Sequence, residues 1–222
     1  MKTLWIFGDS FSTPFEDKTL GSWDTNYCNW KGYVPKHFGD IIGNELGVEV
    51  KHFGIGGIDN DTIFERILKQ VPKISKGDIV IIGWSTIHRF RLANSTKGFT
   101  TIIPNARFKQ NIPFISKDTI EEILVNRSLL GYEYELYDRV KFLNWLFKDM
   151  ILIQWTPFWD KNIKVWGESG FSTITNETNG LMKDAHYSEL GHKQLANKFL
   201  EMIGDDTLRK TINSMCDIDK LI

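Results

Sequence analysis

The residues best suited to do chemistry in this sequence stand near its start, where the apolar run Leu4-Trp5-Ile6-Phe7 stops at Gly8-Asp9-Ser10. A hydroxyl delivered at the end of a buried strand is a candidate nucleophile. The glycine before it permits a tight turn that leaves the Ser10 backbone N–H to face a developing negative charge. The same tripeptide also reads as an ordinary turn with an Asx or serine cap. What separates the two readings is a base, because a serine hydroxyl attacks poorly until a neighbouring group takes its proton. The chain has five histidines to supply one: His37, His52, His88, His186 and His192.

Two further strand ends carry polar groups. Val48 to Phe53 reads as a short strand closed by Gly54-Ile55-Gly56-Gly57. The N–H of Gly57 is a candidate second oxyanion donor, while the more general reason for such glycines is positive φ and close packing. The spacing is not that of a dinucleotide-binding turn. Asp59, Asn60, Asp61 and Thr62 read as a helix cap, with Asn60 also placed to contact a substrate. Next, Ile79-Val80-Ile81-Ile82-Gly83 is an unbroken apolar run of the kind buried on both faces of a parallel sheet. It leads into Trp84, Ser85, His88 and Arg89. By position, Trp84 is a candidate for shaping an acyl pocket. Arg89 is a candidate for meeting a polar or anionic substrate group, against the default of a solvated charge. Ligands of open α/β sheets bind at the carboxyl edge, so three strand ends there define a candidate site.

The remaining pattern supplies the elements such a sheet needs. Apolar residues at Val34, Phe38, Ile41, Ile42 and Leu46 predict a crossover helix stopped by Gly47, and Ile63, Ile67, Leu68 and Val71 predict a second. From Asp118 to Phe147 the pattern is helical with an interruption near Gly131, and Met150 to Trp155 is another buried strand. Leu195, Ala196, Phe199 and Leu200 predict a C-terminal helix. Phe11 to Tyr33 reads as a long aromatic loop, with Trp23, Tyr27 and Trp30 suited either to sugar faces or to covering the sheet edge. Arg91 to Lys117 lacks periodicity and reads as an insertion over one rim.

Composition narrows the classes. The hydrophobic share is 41%, the charged share 25% and the net charge −1 over 222 residues. Such a chain is a globular protein with no electrostatic pull toward nucleic acid or an anionic membrane. One domain over residues 1–222 is expected. Cys28 and Cys216 show no metal-ligand spacing, and neither a metal nor a cofactor is expected. The opening apolar run is too short for a signal peptide or a membrane helix, so a cytoplasmic or virion-associated protein is expected.

Gly8-Asp9-Ser10, the glycine-ended second strand, and the late Asp184-Ala185-His186 followed by Gly191-His192 at a helix start together resemble the SGNH/GDSL hydrolase family. The order of these motifs spans nearly the whole chain. The resemblance implies a three-layer α/β/α sandwich with a mostly parallel, flavodoxin-like sheet, and ester hydrolysis by serine without a cofactor. It makes Ser10 the nucleophile, His186 the general base and Asp184 the group that orients the imidazole. Ser10, Gly57 and Ser85 then form the oxyanion hole. Asp9, Trp84, Arg89, Asn60 and Tyr187 are expected to face the substrate.

Two departures from the family pattern stand out. Only Ala185 separates Asp184 from His186, where the family has two residues, so Glu189 or a backbone carbonyl is the alternative orienting group. The third block lacks its asparagine and reads Gly83-Trp84-Ser85-Thr86. Losing a positioned oxyanion donor costs on the order of a hundredfold in rate. The expected function is removal of a short acyl group, O-acetyl above all, from a carbohydrate or other small ester. The alternative is a catalytically silent SGNH-like module that binds glycan or serves a structural role.

Overall fold

Every residue from Thr3 to Gly8 is buried, and so is every residue from Ile79 to Gly83. Strands buried on both faces belong in the middle of a parallel sheet. In the computed structural model, which describes residues 2–14, 33, 36–94, 98–102, 116, 118–119, 122, 129–156 and 189–205, that is where they lie. In chain order the elements are β1 (Thr3–Gly8), α1 (Phe38–Leu46), β2 (Glu49–Gly54), α2 (Asn60–Gln70), β3 (Ile79–Gly83), β4 (Phe90–Asn94), β5 (Gly98–Ile102), α3 (Leu129–Leu146), β6 (Ile151–Trp155) and α4 (Glu189–Gly204). Four of the strands form one sheet in the order β2-β1-β3-β6, each pair parallel.

The pleat sorts the apolar side chains into two cores. Leu4, Ile6, Ile79, Ile81, Ile153 and Trp155 point to one face, where Phe38 and Ile42 of α1 and Leu195, Ala196 and Phe199 of α4 cover them. Trp5, Phe7, Val80, Ile82 and Leu152 point to the other, beneath Ile63 and Ile67 of α2 and Leu136, Val140 and Leu143 of α3. This is the three-layer α/β/α sandwich with a parallel sheet that the motif resemblance implied. The strand order places the crossover from β2 to β3 across β1, so the sheet's switch point lies between the carboxyl ends of β1 and β3, where ligands of such folds bind.

Several boundaries differ from the sequence reading. The first helix begins at Phe38 rather than Val34, because the His37 side chain accepts from the Gly39 N–H and caps it there. α3 runs unbroken through Gly131, where an interruption was expected. The start of the aperiodic 91–117 stretch forms an antiparallel hairpin of β4 and β5, with Arg91 stacked over Phe99 at 4.4 Å. At the amino edge of the sheet Asp78 accepts from the N–H groups of Thr3 and Ser75 and from the indole of Trp5, tying the start of β1 to the start of β3. Among the described residues no helix is long and apolar enough to cross a membrane.

Candidate active site

The site is built on glycines. β1, β2 and β3 end in register at Gly8, Gly54 and Gly83. A Cβ at Gly8 or Gly83 would run into the Ser12 side chain, and one at Gly54 into the Ser12 backbone. The missing side chains leave a flat floor on which the chain can turn back at once after β1. It does so as a single 3-10 turn over Ser10–Ser12, started by Asp9.

Asp9, expected to face the substrate, is instead fully buried, and its oxygens are taken by protein donors. Its Oδ1 takes the Phe11 N–H at 3.1 Å, and its carbonyl takes the Ser12 N–H at 3.0 Å and the Thr13 hydroxyl at 3.0 Å. Its Oδ2 takes Arg89 Nη1 at 2.9 Å across 80 residues of sequence. The turn therefore presents Ser10, half-buried, at the carboxyl edge of the central strand. The loop after β2 comes alongside: Ile55 N–H donates to the Gly8 carbonyl at 3.0 Å, and a Cβ at Gly56 would stand 3.8 Å from Cβ of Ser10. Gly57, the oxyanion candidate next in line, has φ +77°, a conformation that favours glycine.

The loop after β3 completes the rim. Ser85 is buried, and its backbone is held at both ends by the Asn60 side chain, whose Oδ1 accepts from Ser85 N–H at 2.8 Å and whose Nδ2 donates to Ser85 C=O at 3.0 Å. The Ser85 hydroxyl accepts from Arg89 Nη1 at 2.8 Å, an arrangement that leaves its own proton to donate elsewhere. Asn60 and Arg89, both expected as substrate contacts, thus direct their polar atoms toward the protein. With Asp61, Ile87, Tyr132 and Arg139 they also line a small polar pocket beside the loop.

Trp84 departs from its expected role. It has no exposed surface, sits in the α2/α3 core, and its indole N–H is taken by Gln154 at 2.9 Å, so it packs the sheet instead of shaping an acyl pocket. The other histidines also have places. His37 and His192 are buried with ring centroids 5.0 Å apart, and His192 Nδ1 accepts from the Phe38 N–H. His52 pairs with Asp40 at 2.9 Å, and His88 is exposed. Glu189, the alternative orienting carboxylate, accepts from the Tyr33 hydroxyl and pairs with Lys193 at 2.7 Å. His186, Asp184 and Tyr187 lie outside the described residues, as do Trp23, Tyr27 and Trp30 of the aromatic loop. No cluster of histidine, cysteine and acidic side chains among the described residues could hold a metal ion.

The role of Arg89 as partner of Asp9 was not visible in the sequence. The only hint is topological, since both residues follow strands that end side by side. The same holds for Asn60 and Ser85, and Tyr132 and Arg139 of the pocket carried no signal at all.

The sequence matches no protein-family model and no curated protein. Similarity appears among solved structures. A catalytic mutant of Axe2, an acetylxylan esterase from Geobacillus stearothermophilus, superposes with a TM-score of 0.50 at 18% identity, covering 92% of this chain and 95% of that one. A second Axe2 mutant, an acetyl-xylooligosaccharide esterase, gives 0.48 at 20% identity over 92% and 95% of the two chains. A G-D-S-L family protein from Desulfitobacterium hafniense DCB-2 gives 0.46 at 15% identity over 91% and 99%. Together with Gly8-Asp9-Ser10 at the end of the central strand and the parallel order β2-β1-β3-β6, the likeness to the first of these, at 0.50, shows that the chain has the SGNH/GDSL hydrolase fold.

Proposed function

We propose that the protein is a serine ester hydrolase that removes short acyl groups, O-acetyl from a carbohydrate or another small ester being the substrate the site suits best. The observation that carries this reading is the Ser10 turn: a half-buried serine on a glycine floor at the sheet's switch point, fixed by the preceding buried aspartate. Nothing in sheet packing requires a hydroxyl there.

In the proposed reaction Ser10 Oγ attacks the ester carbonyl while the His186 imidazole takes its proton, with Asp184 orienting that ring. The tetrahedral oxyanion is met by the N–H groups of Ser10 and Gly57 and by the Ser85 hydroxyl. His186 returns the proton to the departing alcohol. Water, deprotonated by the same imidazole, then releases the acid and restores Ser10. The absence of an asparagine from Gly83-Trp84-Ser85-Thr86 favours a second reading, a silent SGNH-like module that binds glycan in the same cleft.

Hydrolysis of p-nitrophenyl acetate and of longer-chain esters by the native protein, Ser10→Ala and His186→Ala separates the two. Acetate turnover lost in both variants supports the esterase. No turnover, or turnover unchanged in Ser10→Ala, favours the binding module.

A further inference from the structure

The Arg89 side chain touches all three loops of the site. A single nitrogen, Nη1, shares its two N–H bonds among three acceptors, Asp9 Oδ2 at 2.9 Å, the Ser85 hydroxyl at 2.8 Å and, more weakly, the Ile58 carbonyl at 3.3 Å. These acceptors follow β1, β3 and β2 respectively. The Arg89 side chain is 12% exposed and that of Asp9 1%, so the ion pair is shielded from solvent. Charge-assisted bonds in such a setting are short and directional. Arg89 is itself anchored, since its backbone N–H closes a turn on the Thr86 carbonyl at 3.2 Å.

From this we infer that Arg89 is a positioning residue for the Ser10 nucleophile, not a substrate contact. It holds the Ser10 turn, the Gly57 loop and the Ser85 loop at fixed separation, and so sets the oxyanion geometry that a third-block asparagine would otherwise help define. A site loosened by an ångström loses about a hundredfold in rate without losing affinity in proportion. The pairing also answers the charge of Asp9, which would otherwise stand unneutralised one residue from the place where the oxyanion forms. This inference rests on the esterase reading for its kinetic consequence, but not for its structural one.

Arg89→Met alone leaves the Asp9 carboxylate buried without its charge partner and risks failing to fold. The test therefore uses Asp9→Asn/Arg89→Met, which removes both charges while an Asn oxygen can still accept from Phe11, and Arg89→Lys, whose ammonium can occupy the place of Nη1. Kinetics with p-nitrophenyl acetate are combined with amide hydrogen exchange over residues 8–13 and 84–89. The double variant is expected to lose about a hundredfold in kcat with KM within about threefold of native, and to exchange faster in both segments. Arg89→Lys is expected to recover at least about tenfold of that loss. Native kcat in the double variant, a change confined to KM, or no recovery by lysine would overturn the inference. If the native protein turns over no ester, the esterase reading and the kinetic consequence fail together and exchange decides the structural one: faster exchange in both segments upholds Arg89 as the clamp between the Ser10 turn and the Ser85 loop, and unchanged exchange overturns it.

Discussion

The side-chain amide of Asn60, the first residue of α2, spans the backbone of Ser85 at both ends, at 2.8 and 3.0 Å, and so pins the loop after β3 to the helix that precedes that strand. Asn60→Ala leaves a buried N–H and C=O unpaired, a loss of about 1–3 kcal/mol in unfolding free energy. Asn60→Asp keeps the acceptor but sets an oxygen against the Ser85 carbonyl, and is expected to lose as much or more. Urea denaturation of the two variants checks this, with ester turnover expected to fall alongside stability.

The glycine floor makes a sharper prediction because it names its own suppressor. In Gly83→Ala the new methyl group meets the Ser12 hydroxyl and approaches the Trp155 indole, an overpacking loss of about 1–3 kcal/mol. Adding Ser12→Gly removes the principal collision and should recover part of that loss. The midpoints of thermal unfolding for the single and double variants decide it, and a double variant worse than the sum of the singles would count against the floor.

Burial, and then the neighbouring charges of His192 and His52, push the His37 imidazole well below its ordinary 6.5 against a smaller opposing pull from the Phe11 carbonyl. The sign follows from linkage. The unfolded chain binds this proton near pH 6.5 and the folded chain resists it, so stability is fully present above that pH and falls as pH drops below it. The slope is about 1.4 kcal/mol per unit for one proton. Asp40, paired with His52 on the same cluster, is the acidic group beside these rings. His37→Asn keeps an oxygen to cap α1 and removes the titrating group, so its stability between pH 5 and 6.5 should be flatter than native. Denaturation across that range tests it.

Asp78 acts in the opposite direction. Burial alone would raise its pKa. The N–H groups of Ser75 and Thr3, the indole of Trp5 and nearby Lys51 outweigh that and hold it below its ordinary 3.8. Its contribution is therefore present above about pH 4 and lost as pH falls through the folded value. Asp78→Asn is expected to lower stability near neutrality and to lessen the acid dependence below pH 4, as measured by urea titration at several pH values.

How much of this could be read from the residues alone follows from which interactions are local. The runs Leu4–Phe7 and Ile79–Ile82 announce their burial because both faces of a central parallel strand must be apolar, and Gly47 and Asp59 mark helix ends through local backbone chemistry. The β4/β5 hairpin escaped because Phe90, Leu92 and Ile102 are spaced by charged and hydroxyl residues in too short a run to show a period. Trp84 misled for a different reason. Its position at a strand end suggests a pocket, and only the distant Gln154 reveals that its indole turns into the core. The pairs Arg89–Asp9 and Asn60–Ser85 depend on which strands lie side by side, and that is fixed by the whole sheet and not by any single stretch.

A nucleophilic Ser10 is open to covalent trapping. The native protein, incubated with an alkyl fluorophosphonate and digested for peptide mass mapping, is expected to carry one adduct, on Ser10, that is absent from Ser10→Ala and strongly reduced in His186→Ala. No adduct on the native protein, or an adduct that persists in Ser10→Ala, would contradict this role of Ser10.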